Sequence, residues 1–387
     1  MTKFFMRGMT RATELTRSGK LSDATALIQS LLQPKATSDT GPDGGAAHQN
    51  LADKDVIEGT FSEVGGAAPV PPAPRVGRKG LGETLRDLAS RRMQHAGTKP
   101  AAPVDLPTGA EFLSLTHANP QGSRAYRLYV PARKPAGPMP LIVMLHGCTQ
   151  SPEDFALGTG MNALAEEFGH LVAWPAQPQQ ANAQKCWNWF RPEDQGRDQG
   201  EPAVIAGIIS DIVRDYPVDA GRVYVAGLSA GGAAAAIMGA AYPELIAAIG
   251  VHSGLPVGSA KDVVSAFAAM RSGSSGKDHR TGAPVIAFHG LADMTVHPSN
   301  GAAVIEQTVR GRQNLNTVSE SGLSEGGRRY RRTRHEDKNG RSIAEHWEID
   351  GASHAWSGGT ARGSYTDPAG PDASREMLRF FAQHKQA

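Results

Sequence analysis

A serine, an aspartate and a histidine, each just beyond an apolar run, are the residues whose types and order could carry out acyl transfer. Ser229 stands in Gly227-Leu228-Ser229-Ala230-Gly231, between the run Val223-Tyr224-Val225 and an alanine-rich stretch that reaches Ala236. Asp293 closes Gly290-Leu291-Ala292-Asp293, and His354 closes Gly351-Ala352-Ser353-His354. A serine hydroxyl is a weak nucleophile until an imidazole removes its proton. That imidazole in turn needs a carboxylate to fix its tautomer and stabilise the imidazolium. The chemistry therefore needs all three groups at one place, although they lie far apart along the chain.

Elements able to bring them together can be read from the pattern. Val223-Tyr224-Val225 followed by Gly-x-Ser-x-Gly and small residues reads as strand, sharp turn and helix, with Ser229 at the apex and glycines where a Cβ would collide with strand or helix. Upstream, Leu141 to Leu145 is an apolar run short enough for a strand buried on both faces, followed by His146-Gly147-Cys148. Phe112 to Thr116 and Ala125 to Val130 form a hairpin across Asn119 to Ser123. Alternation continues through Met161 to Phe168, Leu171 to Trp174, Ala203 to Asp215, Ile246 to Val251, Val285 to Phe288 and Gly301 to Val309. A second hairpin turns at Asn339-Gly340 and ends in His346 to Ile349, and a helix from Ala373 to His384 closes the domain. This alternation predicts an α/β fold with a mostly parallel, doubly wound sheet, and the order Ser, Asp, His is that of α/β-hydrolases. Functional groups in such sheets gather at the carboxyl ends of the strands.

Two choices at those strand ends remain open. Asp350 lies near His354 and competes with Asp293 for the acid's role; Asp293 is preferred because it follows a buried strand in the expected slot, although an aspartate there could be only a turn-former. His146, His252 and His289 also sit at strand ends, where a buried histidine commonly orients a loop by bonding to backbone; His354 is taken as the base by its order. A tetrahedral oxyanion needs N–H donors. Ala230, after the nucleophile and at a helix N-terminus, supplies one, and the loop after the early strand supplies the other, assigned to Cys148.

These segments resemble the poly(3-hydroxybutyrate) depolymerase family of α/β-hydrolases, whose relatives include feruloyl and acetyl-xylan esterases. The resemblance is carried by Leu145 to Gln150, Gly158 to Asn162, Cys186 to Phe190, Gly227 to Gly232, Val251 to Pro256, His289 to Asp293 and Gly351 to Trp356. It places the family's nucleophile, acid and base on Ser229, Asp293 and His354, its backbone oxyanion donor on Cys148, and an aromatic substrate lining on Trp187 and Trp189. Ordinary loop packing accounts equally well for the two tryptophans. Cys186 and Cys148 belong to loops expected near the site and could pair, while a reducing cytosol argues against a lasting bond. The implied activity is serine esterase action on short-chain hydroxyalkanoate polymer or oligomer, with a feruloyl or acetyl-xylan ester as the alternative and no metal or organic cofactor.

Composition bounds the partners. With 387 residues, 40 basic, 38 acidic and a formal charge of +2, no global field attracts nucleic acid or an anionic membrane. No run approaches the roughly 18 apolar residues of a membrane span, and Phe4-Phe5-Met6 is too short for a signal-peptide core, so a cytoplasmic location is expected, secretion not being excluded. Residues 1–33 are expected to be helical, residues 34–108 a largely disordered Pro/Ala/Gly-rich linker, and residues 109–387 the catalytic domain. Within the linker, Leu81, Leu85 and Leu88 form one apolar stripe near Arg86, Arg91 and Arg92. That stripe is expected to dock on its own domain or to touch a polyester granule, and a granule-binding protein using residues 1–107 is the reading from outside enzymology. Secreted family members follow a plan of signal peptide, catalytic domain and polymer-binding domain. The expectation here is intracellular polyester, short oligomers or other esters rather than external crystalline polymer.

Overall fold

Ten strands build one sheet in the order β1-β2-β4-β3-β5-β6-β7-β10-β9-β8. The structure is a computed structural model and describes residues 104–274, 279 and 281–386. The helical segment expected over 1–33, the linker up to residue 103 and the stripe at Leu81, Leu85 and Leu88 lie outside the described residues.

β1 (Glu111–Asn119) and β2 (Gly122–Val130) form the first hairpin, and β2 pairs antiparallel with β4 (Leu171–Pro175). From there the pairing is parallel through β3 (Met139–Leu145), β5 (Val218–Leu228), β6 (Ala248–His252), β7 (Val285–Gly290) and β10 (Ser342–Ile349). Every residue of β3, β4, β6 and β7 is buried, as strands covered by helices on both faces require. The second hairpin joins β9 (Arg329–Glu336) to β10 through the Asn339-Gly340 turn. An additional strand, β8 (Asn316–Leu323), pairs outside β9; its exposed Ser- and Glu-containing sequence gave no apolar signal to announce it.

Side chains alternate across the sheet, so each face carries its own core. On one face Leu141, Val143, Val223 and Val225 meet α3 (Gly200–Asp215), α4 (Ala230–Ala241) and α6 (Ser299–Val309). On the other, Ile142, Met144, Tyr224 and Ala226 meet α1 (Pro152–Thr159), α2 (Met161–Phe168) and α7 (Ala373–Phe381). α5 (Val263–Ser272), which the apolar pattern did not reveal, leaves Val264 and Phe267 exposed. α7 ends at Phe381, short of His384. Two short strands, β11 (Trp356–Ser357) and β12 (Thr366–Asp367), pair beside the main sheet. No described helix is long and apolar enough to cross a membrane.

Candidate active site

The turn from β5 into α4 holds Ser229 at φ 59° and ψ −119°, a left-handed conformation outside the ordinary range for a residue with a Cβ. The surroundings enforce it. The Ser229 N–H donates to the His252 carbonyl at 2.8 Å, and the Ser229 carbonyl accepts from the Ala233 N–H at 3.0 Å. A Cβ on Gly227 would run into the Gly231 backbone, and one on Gly231 would strike the carbonyl oxygens of Leu145 and His146. Glycine is therefore needed on both sides of the serine because helix and strand backbones nearly touch.

Strands β5, β6, β7 and β10 are consecutive and parallel, so their carboxyl ends share one edge. Leu228, the last residue of β5, lies level with His252 and so with Phe288, while Ile349 of β10 pairs with Gly290 of β7. Asp293 follows β7 and His354 follows β10. His354 Nδ1 donates to Asp293 Oδ2 at 2.7 Å, and the other carboxylate oxygen accepts from the N–H groups of Thr295 (2.8 Å) and Val296 (2.9 Å). The carboxylate that meets His354 is thus Asp293, whereas Asp350 is exposed and its N–H bonds to the Arg329 carbonyl. Burial alone would raise the Asp293 carboxyl, but the bond and charge of His354, with the two backbone donors, hold it below the usual carboxylate range. With Nδ1 engaged, His354 has Nε2 left for proton transfer. Its side chain is 14 % exposed and Ser229 is 8 % exposed, whereas the Asp293 side chain is fully buried. The described hydrogen bonds join His354 to Asp293 but not Ser229 Oγ to His354; contacts of this kind commonly tighten only when substrate binds.

The other strand-end histidines orient loops. His252 takes the Ser357 N–H on Nε2 at 3.0 Å while its carbonyl holds Ser229, so one residue ties the Ser229 turn to the segment that follows His354. Burial and the neighbouring His289 and His354 push it down to about 3, leaving it neutral. His146 accepts the Gln177 N–H on Nε2 at 3.1 Å, so Nδ1 carries the proton and donates to the Gly147 carbonyl at 2.7 Å. His289 Nε2 donates to the Val296 carbonyl at 2.9 Å, bracing the turn that presents Asp293.

Around Cys148 the loop is pinned on both sides. The Gly147 N–H donates to Gln150 Oε1 at 2.9 Å and the Thr149 N–H to the Gln184 carbonyl at 2.7 Å. Cys148 is bonded to Cys186, which joins this loop to the Trp187 segment. The reducing-cytosol argument against that pairing is not reflected in the geometry. Ala230 begins α4, where an N–H has no intrahelical acceptor. Trp187 is fully buried and donates to the His146 carbonyl at 3.2 Å, and Trp189 is 6 % exposed against Phe190. The packing alternative describes both placements. Glu201, 6 % exposed and raised by that burial, gathers the Asn188 N–H at 2.7 Å, the Asn188 amide at 2.8 Å and the Gln177 amide, fixing the tryptophan loop. No local pattern marked Glu201, because its partners, Asn188, Gln177 and Arg124 of β2, come from separate segments. Among the described residues no group of three or more His, Cys, Asp or Glu side chains could hold a metal ion.

The sheet order and the strained serine turn define an α/β-hydrolase. Comparison supports that class: the solved acetyl xylan esterase from Aspergillus awamori superposes with a TM-score of 0.55 at 19 % identity, over 70 % of this chain and 99 % of that one. The chain belongs to the Esterase PHB depolymerase family, whose model matches residues 124–336, a range that includes Ser229 and Asp293 and stops before His354. It is similar to poly(3-hydroxyalkanoate) depolymerase C of Paucimonas lemoignei, 34 % identical over 54 % of each chain. It is also similar to the poly(3-hydroxybutyrate) depolymerase of Ralstonia pickettii, 29 % identical over 60 % of this chain and 51 % of the relative. Feruloyl esterase B of Neurospora crassa is 30 % identical over 49 % of this chain and 70 % of its own. The chain thus spans about half the length of the two depolymerases.

Proposed function

We propose that this protein is a serine esterase that cleaves short-chain hydroxyalkanoate esters, polymeric or oligomeric, through an acyl-enzyme on Ser229. The observation that carries the reading is the 2.7 Å bond between His354 Nδ1 and the buried Asp293 carboxylate, at the sheet edge that also presents Ser229 in a strained turn. In this mechanism Ser229 Oγ attacks the ester carbon as its proton passes to His354 Nε2. Asp293 keeps the proton on Nδ1 and stabilises the imidazolium. The Ala230 and Cys148 N–H groups receive the negative oxygen, a role worth about 3–4 kcal/mol per donor in such sites. The alcohol leaves with the proton from His354, and water, deprotonated by the same imidazole, releases the acid and restores Ser229.

The names of the relatives support hydroxyalkanoate esters as the substrate class. The feruloyl esterase similarity, which covers more of that relative's length, supports a second reading on aromatic or acetyl esters. Rates on 3-hydroxybutyrate oligomers against methyl ferulate separate the two. The Cys148–Cys186 bond bears against the cytoplasmic expectation, because such bonds persist in oxidising compartments. Contact with a polyester granule remains part of the proposal and would involve residues outside those described.

The test is Ser229→Ala. Ester hydrolysis is expected to fall by about 10,000-fold or more, with loss of labelling by a fluorophosphonate probe and an unchanged circular dichroism spectrum. Retained labelling would refute the serine nucleophile.

A further inference from the structure

Thr149, next to the proposed oxyanion donor Cys148, and Tyr365, in the segment that follows His354, bring their hydroxyls within 3.3 Å of each other. Both are exposed, Tyr365 by 48 %, and both hold left-handed backbone conformations, at φ 69° and 52°. Non-glycine residues persist in that region only where their surroundings dictate it. Here the surroundings can be named. The Trp356 N–H, two residues beyond His354, donates to the Tyr365 carbonyl at 2.7 Å, and β11 pairs with β12 immediately after Tyr365. From the other side Gln150 Nε2 donates to the Ser364 carbonyl at 3.2 Å, and Asp154 accepts the Ser364 N–H at 2.9 Å. Tyr365 is therefore clamped between the loop of the base and the loop of the oxyanion donor.

The polarity of the hydroxyl pair follows from proton counting. Thr149 has one hydroxyl proton and donates it to the Cys148 carbonyl at 2.6 Å, so in the contact between the two residues Tyr365 is the donor. The phenolic oxygen then keeps its lone pairs, on a half-exposed side chain beside the residue that follows Cys148, as an acceptor for an incoming O–H.

Resting on the esterase reading above, we propose that Tyr365, set by Thr149, forms a subsite that accepts a hydrogen bond from the free 3-hydroxyl of the acyl group being cleaved. That hydroxyl lies two carbons from the carbonyl carbon, whose oxygen would rest on the Cys148 N–H one residue from Thr149. Within a polyester the corresponding oxygen is esterified and donates nothing, so the subsite selects the hydroxyl-terminal unit of a chain and small 3-hydroxyacyl esters.

The experiment compares methyl 3-hydroxybutyrate with methyl butyrate, following released acid with the full-length wild type and Tyr365→Phe. The ratio of the two kcat/KM values is expected to drop about fivefold on loss of the phenolic hydroxyl, the range of one neutral hydrogen bond. An unchanged ratio in an enzyme whose turnover depends on Ser229 overturns the subsite alone. Ser229→Ala run on both esters separates the two claims, because wild-type turnover by that variant refutes the esterase reading itself. Tyr365→Phe keeps the ring at an exposed position, and fluorophosphonate labelling reports that its site is assembled.

Discussion

Two aspartates near one histidine differ in what they can do because of where their backbones run. Asp293 is buried, receives two backbone N–H groups on one oxygen and holds His354 with the other, whereas Asp350 is exposed at the end of the last parallel strand. Removing the Asp293 charge without changing its shape leaves the imidazole free to take the wrong tautomer. Asp293→Asn is therefore expected to lower kcat by about 10,000-fold, and Asp350→Asn to leave it within about twofold. Steady-state kinetics on one soluble ester check both, and a larger loss in Asp350→Asn would overturn the assignment. The Ser229 turn belongs to the same scale: its strain is held by the His252 carbonyl and by glycine contacts that no larger residue could make.

Among the elements, two loops with little regular structure depend on cross-links for their shape. The loop after β3 and the tryptophan segment after β4 are joined by the Cys148–Cys186 bond, by the Thr149 to Gln184 backbone bond, and by the Trp187 side chain on the His146 carbonyl. The disulfide closes a loop across a sequence separation of 38 residues, which in the chain-entropy picture stabilises the fold by about 3–4 kcal/mol. Cys186→Ser is expected to lower the thermal midpoint by several degrees and to make it insensitive to dithiothreitol, while the wild-type midpoint falls when reductant is added. A wild-type midpoint unmoved by reductant, with the thiols shown to be free, would mean the bond contributes nothing. Because Cys148 also carries the proposed oxyanion donor, the kcat of Cys186→Ser is expected to fall more than KM rises.

For the whole molecule, the response to acid follows from histidines that folding buries wholly or in part. Burial pushes His146 down to about 4 and His252 to about 3, and His170, His346 and His384 likewise to about 4. An imidazole in the unfolded chain titrates near 6.5, so between about 6.5 and 4 the unfolded state binds protons that the folded state refuses. Stability is accordingly full above about 6.5 and is lost as the pH falls toward 4. The fully buried pair His146 and His252 alone costs on the order of 5 kcal/mol by the end of that window. Glu201 and Asp194, both raised by burial, work in the opposite sense but are two groups against five. Unfolding midpoints measured from pH 8 to pH 4 should fall steeply below about 6.5; a flat profile would show that these rings take up protons while folded.

Much of this architecture is written locally. Apolar runs such as Leu141 to Leu145, the glycines around Ser229 and the Asn339-Gly340 turn each act over a few residues, so the alternating elements and the serine's strained apex could be read before any coordinates. The chain order of Ser229, Asp293 and His354 could be read as well, since it survives folding. β8 and α5 escaped, because an edge strand and a surface helix bury too little apolar surface to impose a period on their sequences. The tertiary structure alone decided that His354 meets Asp293 rather than Asp350, that Cys148 bonds to Cys186, that Trp187 is sealed in the core, and that Tyr365 reaches Thr149. Each of those joins segments from different strand ends, and such contacts depend on how the whole sheet stacks its edges rather than on any pattern within one segment.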